Sequence, residues 1–124
     1  MTCYSLFVFL CVRIWKIFKE KGRSTSVAKL ESKFQKELMD DIRNEFPGCV
    51  IIKNDSSYIQ GFPDWTILYK NKWAAIEAKR SAKAPKQPNQ DYYVDTLDQM
   101  SFARFAYPEN KEEVLDELRK AFKS

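Results

Sequence analysis

The chain has 124 residues and 14.6 kDa, room for one domain and no second one of useful size. A hydrophobic fraction of 44%, with 3 Gly and 5 Pro, excludes a disordered, collagen-like or low-complexity chain. Lys plus Arg is 21 against 17 Asp plus Glu, a net +4 that permits an anionic partner without requiring one. The sequence contains no His. That excludes Ser-His-Asp and Cys-His triads, His-ligated zinc and imidazole bases. Catalysis here has to rest on carboxylates, Lys, Tyr, Cys or a metal held by oxygen ligands. Cys3, Cys11 and Cys49 form no CxxC pair and read as free thiols in a reducing compartment.

Residues 1–12 carry no charge, and Arg13, Lys16, Lys19, Lys21 and Arg23 follow. The apolar run falls short of the ~20 residues a spanning helix needs. Its charges follow the apolar stretch instead of preceding it, which is wrong for a secretory signal. Residues 1–26 are therefore expected to be an apolar and basic segment, helical or disordered. Three readings stay open: an interfacial helix meeting a membrane through residues 1–18, an appendage packing on the domain or a partner, or a dispensable leader preceding a later start at Val27 or Leu30.

Residues 27–124 read as an α/β domain. Leu30, Phe34, Leu38, Ile42 and Phe46 recur at four-residue steps, predicting a helix over 27–46 with Ser26 as N-cap and Pro47-Gly48 as stop. Cys49–Ile52 is a short β-prone run. A polar loop from Asn54 to Pro63 follows. Trp65–Tyr69 and Trp73–Ala78 flank Lys70-Asn71-Lys72 and read as a β-hairpin. Arg80–Asn89 is a basic loop, Gln90–Met100 is helical, and Ser101–Tyr107 is a short strand. Asn110 is expected to cap a final helix, with Glu112 and Glu113 at its start and Lys120 and Lys123 at its end. The order is helix-strand-strand-strand-helix-strand-helix.

Asp64 lies where the loop enters the first hairpin strand, and Glu77 and Lys79 lie near the end of the second. Residues two apart in a strand share a face, so Glu77 and Lys79 do. The hairpin places the start of one strand beside the end of the other, which makes Asp64 and Glu77 neighbours. Two carboxylates, a Lys and the Ala78 carbonyl make a hard-oxygen site of the kind Mg²⁺ prefers. A Glu77–Lys79 ion pair is the plain alternative, since a charge near a central strand must be paired or hold a metal.

Gly61-Phe62-Pro63-Asp64 followed by Glu77-Ala78-Lys79 resembles the motif of the PD-(D/E)XK nuclease superfamily. Among its members, the small VRR-NUC and phage Holliday-junction-resolvase-like nucleases are the most similar, over about residues 29–122. The resemblance implies a restriction-endonuclease-like core: a central mixed sheet of about four strands flanked by helices. It adds Glu31 on the first helix, holding a second metal or a water, and Gln90 at the opening of the helix after the motif. It implies that Asp64, Glu77 and the Ala78 carbonyl bind Mg²⁺ or Mn²⁺, and that Lys79 orients the attacking water or stabilises charge on phosphorus. The catalytic set is then Glu31, Asp64, Glu77, Lys79 and Gln90. It further implies a homodimer and a cytoplasmic location in a bacterial host, with phage origin.

Arg80, Lys83 and Lys86 lie in a stretch with no acidic residue between Glu77 and Asp91. They are candidate contacts for a DNA backbone, the alternative being a solvated loop. No base-edge reader is evident, so selectivity for branched or double-stranded DNA structure is expected over sequence readout. Tyr92 and Tyr93 can stack on bases but read first as structural aromatics, and Trp65, Trp73 and Phe102 as core or interface. Two other functions stay in view: a nucleic-acid-binding module on an inactive nuclease fold, and a membrane-surface or partner-binding protein acting through residues 1–23.

Overall fold

A computed structural model of the chain describes residues 26–124. The expectations placed on residues 1–25, including membrane contact, Cys3 and Cys11, lie outside the described residues. α1 is helical over 26–45. It is followed by β1 (Val50–Lys53), β2 (Trp65–Tyr69), β3 (Lys72–Ala78), α2 (Gln90–Met100), β4 (Ala103–Ala106), a 3₁₀ turn (Pro108–Asn110) and α3 (Lys111–Lys123). The expected order of elements is the observed one. The four strands form a single mixed sheet in the order β1-β2-β3-β4. β1/β2 and β2/β3 are antiparallel, and β3/β4 is parallel across the α2 crossover. Among the described residues no helix is long and apolar enough to cross a membrane.

Alternation along β3 separates two cores. Ala74, Ile76 and Ala78 point to the face covered by α1 and α3, where Leu38, Ile42, Phe46, Leu118 and Phe122 pack. Ala75 points to the other face, beneath Val94 and Leu97 of α2. Each buried Leu, Ile or Phe contributes about 1.5–3 kcal/mol. Two ion pairs, Arg119–Glu45 at 2.8 Å and Lys111–Asp41 at 2.9 Å, tie α1 to α3. They are half-exposed and add at most about 1 kcal/mol each.

Three local expectations are corrected. Leu30 does not join the core: it is 63% exposed. A four-residue step overshoots a full helical turn by about 40°, so a long i+4 series winds off the buried face, and Met39 fills the core instead at 2% exposed. Ser26 is already helical, so it does not stand outside the helix as its cap. Asn110 stands at the N-cap position of α3 as expected, but its side chain makes no capping bond there. Its Oδ1 accepts from the Tyr107 amide at 2.8 Å and its Nδ2 donates to the Phe105 carbonyl at 2.9 Å, bracing the exit of β4.

Candidate active site

The hairpin register determines which residues meet. Trp65 pairs with Ile76, so the preceding Asp64 faces Glu77. The Asp64 amide donates to Glu77 Oε2 at 3.1 Å. Asp64 is itself clamped: the Asn54 amide donates to the Asp64 carbonyl at 2.7 Å, and Asn54 Nδ2 donates to the Pro63 carbonyl at 2.8 Å. Glu77 shares its face with Ala75 and so lies on the α2 side of the sheet. Gln90, the first residue of α2, reaches it there: Gln90 Nε2 donates to Glu77 Oε1 at 2.8 Å. The amide orientation is unambiguous, because Gln90 Oε1 accepts from the Gln87 backbone amide at 2.9 Å.

Among the described residues the buried polar ones are Glu77, 3% exposed, and Gln90, 6% exposed. They are bonded to each other. Lys79 Nζ lies 3.7 Å from Glu77 Oε1 and donates to the Pro85 carbonyl at 3.4 Å. The alternative of a Glu77–Lys79 ion pair is therefore present as a loose contact, and it does not cancel the effect of burial on the carboxylate. Burial, then the nearby Asp64 charge, push Glu77 up to about 7, against the opposing pull of Lys79. Burial, then the Glu31 charge, raise Asp64 as well, while a backbone hydrogen bond from Ala78, Lys79 and Lys53 pull it down. Two carboxylates are thus held where negative charge is unfavourable without a cation beside them.

No family model, curated protein or solved structure matches the chain.

Each expected residue has a definite place. Asp64, Glu77, Lys79 and Gln90 converge through the contacts above. Glu31, half-buried on α1, acts on the pair through its charge. Among the described residues no three Asp, Glu, Cys or His side chains gather closely enough to form a metal-ligand group, so Glu31 is not part of a tight triad. The Lys79 amide donates to the Ala106 carbonyl at 2.7 Å, which ties the Ala78–Lys79 peptide to β4. Arg80 and Lys83 are exposed and make no ion pair among the described residues. Lys86 is engaged: it pairs with Asp91 at 2.7 Å and lies 4.2 Å over the Phe105 ring.

Two supporting roles, those of Asn54 and Gly61, escape a reading of the motif alone. Asn54 reads as a loop residue, yet it holds both peptides flanking Asp64. Gly61 has φ +85°, and a Cβ there would come within 2.6 Å of the Pro88 carbonyl oxygen and 2.8 Å of Asn89. The Asp64 loop is therefore pressed against the residues that launch Gln90. Gly61 within Gly-Phe-Pro-Asp was the available signal, because only Gly accepts both the conformation and the close approach.

Proposed function

We propose that this protein is a metal-dependent nuclease that hydrolyses phosphodiester bonds in DNA, selecting structure over sequence. The observation that carries the reading is the Glu77 carboxylate, 3% exposed, held by Gln90 and the Asp64 amide, beside a second carboxylate and Lys79. An isolated buried Glu is costly. Its cost is understandable where a functional cation is to be held.

The donor set fits Mg²⁺ or Mn²⁺. Asp64 and Glu77 supply hard carboxylate oxygens, and an ion with one or two carboxylates keeps several waters of its own. Such an ion supplies Lewis-acid polarisation of the scissile phosphate. The chain's own groups do the rest. Gln90 and the Asp64 amide hold the Glu77 carboxylate in one orientation. Lys79 brings a compact positive charge to that carboxylate's edge, where it can stabilise charge developing on the phosphate oxygens. Glu31 adds negative charge that acts on the pair. Arg80 and Lys83, exposed on the loop leaving Lys79, are free to meet the DNA backbone.

The test is to incubate the full chain and Asp64→Ala with linear, nicked, flapped and four-way-junction DNA in Mg²⁺, Mn²⁺ or EDTA. Strand cleavage should require the metal and Asp64. Cleavage that survives EDTA or Asp64→Ala, or DNA that is bound in Mg²⁺ and never cut, overturns the proposal.

A further inference from the structure

The loop leading to Asp64 contains a cavity of about 430 Å³ lined by Asn54, Asp55, Tyr58, Ile59 and Phe62. That volume lies in the range of small-ligand sites. Its walls are aromatic and aliphatic, with the neutral Asn54 amide and one negatively charged side chain, Asp55, among them. The Asp55 carboxylate accepts from the Ser57 amide at 2.9 Å and the Ser57 hydroxyl at 2.6 Å. No Lys or Arg lines it. The cavity therefore suits a flat, uncharged, partly polar group and does not suit a phosphate.

The aromatic surface continues beyond the loop. The Phe62 ring meets Tyr93 edge-on at 5.7 Å, and Tyr93 meets Tyr92 at 5.1 Å. Tyr58, Phe62, Tyr93 and Tyr92 thus run from the loop onto the first turns of α2. Both ends of the run are open to solvent, Tyr58 at 85% and Tyr92 at 63% exposed. Rings so exposed contribute little to the core. Both segments are anchored at the candidate active site: Phe62 stands two residues before Asp64, and Tyr92 two residues after Gln90. Two residues of chain span at most ~7 Å, so the Phe62 backbone lies within that distance of Asp64.

We propose that this cavity and its aromatic run bind unpaired nucleobases of the DNA substrate, making the protein selective for single-stranded stretches beside the cut over continuous duplex. Unpaired bases expose the faces that stack on aromatic side chains, whereas a base inside a duplex cannot reach such a cavity without leaving the stack. That the bound group comes from DNA, and its placement relative to the cut, rest on the nuclease reading of Asp64 and Glu77.

The test uses the full chain in EDTA, where binding is read without cleavage. The probe is a single-stranded oligodeoxynucleotide carrying one 2-aminopurine, whose fluorescence is quenched on stacking. Saturable quenching is expected. Tyr58→Ala and Tyr92→Ala, both at exposed positions, should each weaken binding by about 5- to 150-fold, and Tyr58→Phe should retain it. An abasic site in place of the probe base, or annealing to a complement, should lower affinity measured by polarisation to a similar extent. Equal affinity for single-stranded, abasic and duplex DNA, or wild-type binding by both Ala variants, overturns the proposal. Cleavage in Mg²⁺ is scored separately. Cutting without preference for unpaired bases defeats this inference alone, and base binding without cutting defeats the nuclease reading alone.

Discussion

Glu77 accepts a 2.8 Å hydrogen bond from the side-chain amide of Gln90, and each is buried. The bond joins a central strand to the first turn of the crossover helix. Gln90→Leu would keep the volume and remove the donor. It should cost about 1–3 kcal/mol, because Glu77 is left with an unmade bond. On the nuclease proposal it should also lower metal-dependent cleavage by about 10- to 100-fold, the usual effect of losing a group that orients a metal ligand. Asp64→Asn, which alters a carboxylate of the site itself, should exceed that loss. Thermal melts and single-turnover cleavage read the two effects separately.

Gly61 and Gly48 form a matched pair. Both have positive φ, +85° and +87°, but a Cβ at Gly48 meets nothing within 4 Å. Gly48→Ala should cost about 1–2 kcal/mol for its backbone conformation alone. Gly61→Ala adds a collision with Pro88 and Asn89, so it should cost more and displace Gln90. Melting temperatures for the two variants, with cleavage measured beside them, check the ordering; equal costs would remove the packing role assigned to Gly61.

If the protein binds DNA as proposed, the basic loop should act unequally. Arg80→Ala and Lys83→Ala should each reduce the slope of log affinity against log salt by about 1 for DNA binding. Lys86→Ala should change it less, because Lys86 is already paired with Asp91. Titrations across a salt series decide this, and an equal effect at all three positions would count against it.

Glu77 makes stability depend on pH. Its folded value of about 7 lies above the ordinary 4.5. The favourable contribution is therefore fully present below about pH 4.5 and is lost as pH rises through about 7. Glu77→Gln has no charge to bury, so its stability relative to the natural protein should rise between about pH 5 and about pH 8. The gain is on the order of 3 kcal/mol in the absence of divalent metal. Mg²⁺ should shrink the gap by stabilising the ionised carboxylate. Denaturant melts at several pH values measure it; a gap independent of pH contradicts the assigned burial.

In the main core, Leu38→Ala and Ile42→Ala, both 0% exposed, should each cost about 2–5 kcal/mol. Leu30→Ala, 63% exposed, should stay within about 0.5 kcal/mol although it belongs to the same sequence series. Denaturant unfolding of the three variants separates the buried stripe from its overhang.

Residue spacing alone placed Leu38, Ile42 and Phe46 in the core and put the hairpin turn at Lys70-Asn71-Lys72, one residue longer than observed, because Lys72 of β3 already pairs with Tyr69. It also made neighbours of Asp64 and Glu77, although 13 positions separate them. These relationships are local: a periodic row defines a face, and a short turn sets the register that follows from it. Other features depended on how distant segments pack. The winding of the i+4 row left Leu30 outside. The contact of Gly61 with Pro88 and Asn89 joins two loops whose paths no periodicity describes. The capture of Lys86 by Asp91 and Phe105, and the burial of Glu77 beneath Gln90, require α2 to be laid across β3 and β4. Residue types and order made the candidate chemistry legible. Its strength, a carboxylate shifted to about 7, arises from desolvation, which exists only once the helix has closed over the strand.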